Sequence, residues 1–97
     1  MRLPENTDRI RVKNIILDRD GVINYDSPGY IKNPKEWIPI ESSMHAIAKL
    51  SKQGIKISIA TNQSAVGKKI VSIKSLQAIH AKLRNTVQSY GGQISMI

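Results

Sequence analysis

Asp18 and Asp20 stand one residue apart at the end of the apolar run Ile15-Ile16-Leu17, with Gly21 just beyond them. A short apolar run closed by a glycine turn reads as a buried strand ending in a loop. Side chains alternate along a strand, so both carboxylates face one way at its carboxyl end and Arg19 faces away. Like charges so close repel. They are tolerated where a cation sits between them, or where one carboxyl holds a proton and the other is ionised. Either condition suits phosphoryl transfer, with one carboxylate as nucleophile and the other as general acid and base. A solvated turn is the plainer account of the same tripeptide, so the rest of the chain must decide.

A second group of polar side chains follows another strand-like run. Ile55 to Ala60 alternates with period two and ends in Thr61-Asn62-Gln63-Ser64. If the two strands are parallel neighbours, their carboxyl ends lie side by side. Thr61, Asn62, Gln63 and Ser64 then meet Asp18 and Asp20, and their hydroxyl, amide and backbone N–H groups can cradle a phosphate. Lys68 and Lys69, on the loop that follows, can bring positive charge to phosphate oxygens. Thr61 and Asn62 taken alone would read as a turn, with a side chain bonded to the backbone.

The elements that position these residues can be read in order. Residues 1–13 form a polar lead-in, and Asn14 to Leu17 is the first strand. Residues from about 22 to 40 have no clean period and are punctuated by Pro28, Gly29, Pro34 and Pro39. Apolar residues from Val22 to Ile38 are interleaved through them, which predicts a structured flap beside the acidic pair, with Trp37 as a packing anchor. Ser42 or Ser43 can cap a helix to about Gln53, with Met44, Ile47, Ala48 and Leu50 inward and Gly54 as the stop. After the second strand a loop runs through Val71. Ser72 can cap a second helix, whose stripe is Ile73, Leu76, Ile79, Leu83 and Val87, ended by Gly91-Gly92. His45 and His80 fall on these helices and read as surface or packing residues. Met44 and Met96 read as core. Gln93 to Ile97 starts a third strand. The order is α/β and implies a parallel sheet with right-handed crossovers.

Composition narrows the setting. Ninety-seven residues make one small domain, and 40% hydrophobic content is compatible with a folded core. The absence of cysteine excludes disulfides and thiolate metal sites and fits a reducing cytoplasm. No apolar stretch approaches a membrane span, and the polar start has no secretory h-region. The net charge of +8 raises nucleic acid as a partner. The basic residues are nevertheless scattered, with no run longer than Lys68-Lys69, so a basic nucleic-acid-binding module is the weaker reading.

The motifs together carry a family resemblance. Leu17-Asp18-Arg19-Asp20-Gly21-Val22-Ile23-Asn24, the flap pieces Asp26 to Lys32 and Glu36-Trp37, and Ala60-Thr61-Asn62-Gln63-Ser64 resemble the haloacid dehalogenase-like (HAD) phosphatases. Within them they look like the heptose-bisphosphate and histidinol-phosphate phosphatase group, and Ala78 to Ala81 and Gly91 to Ile94 fit it too. The resemblance runs from about Asn14 to Ile97. It implies a Rossmannoid three-layer domain, here cut to the first three strands, two helices and the flap. It implies Mg²⁺-dependent hydrolysis of a sugar phosphate in the cytoplasm, heptose 1,7-bisphosphate foremost. The product would be heptose 1-phosphate, on a route to lipopolysaccharide core. By resemblance Asp18 is the nucleophile that becomes an aspartyl phosphate, and Asp20 protonates the leaving oxygen and then activates water. The Asp18 carboxylate and the Asp20 backbone carbonyl hold the metal, and Thr61 and Asn62 bind the phosphoryl group.

Departures from the group's pattern matter as well. The second-motif loop reads Ser64-Ala65-Val66-Gly67-Lys68-Lys69, where the group carries an arginine and a following glycine. Lys68 lacks the arginine's two-pronged grip. Lys69 replaces a residue with free access to positive φ. The chain stops where the group places a Cys/His loop, so zinc is not expected. The group's later lysine and acid are missing from their expected places too. Such an amino-terminal fragment would leave strand one as an open edge that favours self-association, and a catalytically inactive fragment binding Mg²⁺ or phosphate is the alternative reading.

Overall fold

The computed structural model describes residues 13–62 and 64–97. The lead-in, save Lys13, lies outside the described residues, as does Gln63. Two parallel strands, β1 (Asn14–Asp18) and β2 (Lys56–Ala60), pair in register from Asn14 opposite Lys56 to Asp18 opposite Ala60. The predicted third strand is reduced to a single parallel bridge between Ser58 and Met96. Two backbone bonds support it, Ile59 N–H to Met96 O at 2.8 Å and Ser95 N–H to Ile57 O at 2.8 Å. β2 therefore lies between β1 and the carboxyl-terminal segment.

Helix α1 (Glu41–Lys52) crosses between the strands. Its amino end differs from expectation. Ile40 is the cap residue and makes no side-chain cap, while the Ser43 hydroxyl donates to Val22 O at 2.5 Å and ties the helix to the flap. A single turn of helix, α2 (Ser64–Gly67), occupies the loop after β2, too short to show a period in sequence. Helix α3 (Ile73–Ser89) is capped as expected, the Ser72 hydroxyl accepting from Ser75 N–H at 3.0 Å.

The core lies between the strands and the two long helices. Ile57, Ile79, Leu83, Val87, Met44 and Ile47 are all buried there. Each such side chain withdrawn from water contributes roughly 1.5–3 kcal/mol. The stripe on α3 is fully buried from Ile79 onward, with Leu76 half-buried and Ile73 exposed. After α3 the chain doubles back close to α1. A Cβ on Gly92 would lie 3.0 Å from Val87 Cγ1 and 3.2 Å from Ala48 Cα, so any side chain there would crowd that approach. The other face of the sheet is open. Ile16 and Met96 flank Ser58 there, 74% and 67% exposed, so Met96 is not a core residue.

The flap is structured, as its interleaved apolar residues predict. Ile23, Ile31 and Trp37 are buried in the main core. Its base is closed by Tyr25 N–H to Ile38 O at 3.0 Å and Ile40 N–H to Ile23 O at 2.9 Å. A 3-10 turn at Pro34–Glu36, capped by the Asn33 side chain, is tied to α3 by Lys82. The Lys82 ammonium donates to Pro34 O at 2.7 Å and Trp37 O at 2.8 Å, and sits 5.7 Å from the centre of the Trp37 ring. Among the described residues, no helix is long and apolar enough to cross a membrane.

Candidate active site

The parallel register brings the two strand ends together. Asp18 stands opposite Ala60, and Arg19 N–H bonds Ala60 O at 3.1 Å, which extends the pairing one step past β1. Beyond that point an open cleft is lined by Asp18, Arg19, Asp20, Ala60, Thr61 and Asn62. Four of the residues singled out from sequence therefore share one cleft at the carboxyl edge of the sheet, the edge where open α/β folds bind ligands.

The chain leaves strand geometry after Asp18, so alternation no longer governs Arg19 and Asp20. It turns through Gly21 at φ +81°, a conformation that glycine adopts without strain. The Arg19 carbonyl collects the N–H groups of Val22, Ile23 and Asn24, while the Asp20 carbonyl accepts no backbone bond among the described residues. Arg19 does not face away from Asp20. It is 4% exposed, and its guanidinium forks onto Asp20, Nε to Oδ1 at 2.8 Å and Nη2 to Oδ2 at 3.2 Å. Asn24, fully buried, adds Nδ2 to Asp20 Oδ1 at 3.1 Å. Partial burial pushes the Asp20 carboxyl up. The bonds from Arg19 and Asn24 and the arginine charge outweigh this and hold it below its ordinary value. Asp20 is thus ionised at neutral pH, with Arg19 as its paired cation.

His80 was read from sequence as a surface or packing residue. It stands half-buried, with Nε2 3.2 Å from Arg19 Nη1. The contact spans two elements far apart in sequence, and no local pattern signals it. His45 is exposed, 3.6 Å from Glu41 and edge-on to Tyr90.

On the β2 side, the Thr61 hydroxyl is buried without a hydrogen-bond partner among the described residues. A buried unpaired hydroxyl is costly, and a ligand oxygen would satisfy it. Asn62 makes the plain turn that its type suggests, its Oδ1 accepting from Ser64 N–H at 2.9 Å. Ser64 and Lys68 do not line the cleft. The Lys68 ammonium reaches the flap instead, 3.3 Å from the Tyr30 hydroxyl and 5.9 Å from its ring centre. Bonds to Ser64 and then Lys68 hold the Tyr30 phenol below its ordinary pKa. Lys69 adopts φ +60°, so lysine occupies the left-handed conformation that a glycine would take freely.

Oxygen donors are what a hard cation such as Mg²⁺ selects. The Asp18 carboxylate is exposed, without a hydrogen-bond partner among the described residues, and the Asp20 carbonyl is free as noted. These two fit a Mg²⁺ ion that keeps most of its water. Among the described residues no third His, Cys, Asp or Glu joins them in a metal-binding group.

No protein-family model matches the chain. It is 50% identical over 86 residues to a D-glycero-beta-D-manno-heptose-1,7-bisphosphate 7-phosphatase of Pseudomonas putida, covering 89% of this chain and 49% of that protein. It is 46% identical over 86 residues to the enzyme of the same name from Neisseria meningitidis, covering 89% and 46%. The crystal structure of D,D-heptose 1,7-bisphosphate phosphatase from Bordetella bronchiseptica, complexed with magnesium and phosphate, superposes with a TM-score of 0.85 at 41% identity. That match covers 88% of this chain and 48% of the other. The corresponding Burkholderia thailandensis structure gives a TM-score of 0.70 at 36% identity. The chain spans about half the length of the curated relatives it matches. In sequence and in backbone it resembles the amino-terminal portion of the HAD-like heptose-bisphosphate phosphatases.

Proposed function

We propose that this chain carries the nucleophile-bearing portion of a phosphomonoesterase for a sugar phosphate, heptose 1,7-bisphosphate foremost. The observation that supports it most is the shared cleft of Asp18, Asp20, Thr61 and Asn62 at two adjacent strand ends. Asp18 Oδ attacks phosphorus and forms an aspartyl phosphate as the ester P–O bond breaks. Asp20 gives a proton to the departing sugar oxygen. Water then attacks the phosphorus, Asp20 takes its proton, and the bond to Asp18 breaks to release inorganic phosphate. The Thr61 hydroxyl donates to a phosphoryl oxygen. The Asp18 carboxylate and the Asp20 carbonyl would hold Mg²⁺, which would offset the negative charge of the reacting groups.

The Arg19 fork leaves Asp20 ionised, which suits proton removal from water in the second step. Proton delivery in the first step asks for the protonated form, which the fork disfavours. The neighbouring groups thus serve one half-reaction better than the other.

A second reading is a chain that keeps the fold and binds Mg²⁺ or phosphate without turnover. One observation favours it: the Lys68 ammonium is engaged by Tyr30 and not aimed at the cleft. The test is phosphate release from heptose 1,7-bisphosphate with Mg²⁺, against Asp18→Asn. Release that the substitution abolishes supports the first reading. No release above that control leaves the second.

A further inference from the structure

The buried arginine between the two acids has a task that the reaction scheme does not use. Asp18, Arg19 and Asp20 line one cleft, and of the two acids the guanidinium bonds only Asp20. An arginine bonded to Asp18 would tie up the lone pairs that must attack phosphorus. The structure has the guanidinium on Asp20, with its third contact, Nη1, directed at His80 Nε2. We infer that Arg19 and His80 are positioning residues, His80 anchoring the guanidinium so that it braces Asp20 and leaves Asp18 free. The inference rests on the roles proposed above for the two acids.

The chemistry of the contact fixes the state of the ring. Arginine has five N–H donors and no acceptor, so Nη1 can bond Nε2 only if Nε2 carries a bare lone pair. His80 is then neutral with its proton on Nδ1. Arg19 is nearly inaccessible to water, and a buried cationic donor left unpaired is costly. Loss of the histidine acceptor therefore releases the guanidinium toward other acceptors in the cleft, Asp18 among them.

Two nuclear magnetic resonance measurements test the linkage without turnover. A long-range proton–nitrogen spectrum of the unaltered chain at neutral pH reads the ring state directly. A proton on His80 Nδ1 with Nε2 bare is the expected result, and a proton on Nε2 overturns the proposal. The Arg19 Nε–H signal, assigned by its disappearance in Arg19→Lys, reads the brace. Its exchange with water should speed up by about tenfold or more in His80→Ala, as loss of one charge-assisted bond implies. His80→Gln, whose amide oxygen can accept from Nη1, should recover the slow exchange. Unchanged exchange in His80→Ala overturns the proposal. If His80→Ala does not fold, the ring state of the unaltered chain decides. In the phosphate-release assay His80→Ala should lower kcat and leave KM unchanged. A chain with no turnover at all defeats the functional reading, and the two spectra still decide the brace.

Discussion

Arg19 Nη1 and His80 Nε2 meet at 3.2 Å across 61 positions of sequence, joining the end of β1 to the middle of α3. This contact makes stability depend on pH with a definite sign. Burial first, then the charges of Arg19 and Arg84, hold the His80 pKa below its ordinary 6.5, against a weaker opposite pull from Asp20. The unfolded chain therefore takes up this proton first as pH falls. Stability should be flat above about pH 6.5, decline below it, and level off once the folded His80 is also protonated. Asp20, whose carboxyl lies below its ordinary 3.8, adds a second loss at more acid pH. Urea midpoints measured from neutral to acid pH should show the first decline in the unaltered chain, and His80→Gln should flatten it.

Lys69 at φ +60° should cost the loop about 1 kcal/mol relative to a residue at home there. Lys69→Gly is expected to raise stability by about 0.5–1 kcal/mol, part of the relief being offset by the greater freedom of unfolded glycine. A lower urea midpoint in Lys69→Gly would show that the strain is absent.

Gly92 makes the opposite case. A Cβ there would press on Val87 and on the backbone of Ala48, and backbone cannot swing aside as a flexible side chain can. Gly92→Ala should cost about 1–3 kcal/mol by overpacking α1 against the end of α3. Gly54→Ala, with no atom near its Cβ, separates the effects: its φ of +82° strains the backbone without crowding. Thermal melts of both variants measure the difference.

Among the described residues nothing pairs with the outer edge of β1, and Ile16 beside it is 74% exposed. Such an edge recruits another strand. Sedimentation should show concentration-dependent association, weakened by Ile16→Lys, which places a charge on the open face. A monomer at every concentration, with a cooperative melt, would rule it out.

The juxtaposition of two strand ends was legible because it depends on short-range signals. An apolar run followed by Asp18, a period-two run followed by Thr61, and a parallel crossover suffice to put them together. The Ser72 cap and the buried Trp37 were legible for the same reason. Arg19 was misjudged because alternation holds only within a strand, and β1 ends at Asp18. His80 was passed over because a lone histidine on a helix carries no local mark of a partner on another element. Ser43 has the right type for a cap, but the helix begins at Glu41, so Ser43 lies within its first turn and its hydroxyl donates to the Val22 carbonyl. Met96 looks apolar enough for a core, yet the sheet face it occupies has no covering layer among the described residues.

Lys82 gives the flap an uneven mobility. Its ammonium staples the carbonyls of Pro34 and Trp37 to α3, and Trp37 is itself fully buried. The far limb of the flap is therefore part of the fixed frame and cannot swing as a door. Only the tip around Asp26 to Tyr30 is left to move, held to the loop after β2 by Lys68. Any rearrangement of the flap would therefore start by parting one exposed tyrosine–lysine contact and would leave the core packing undisturbed.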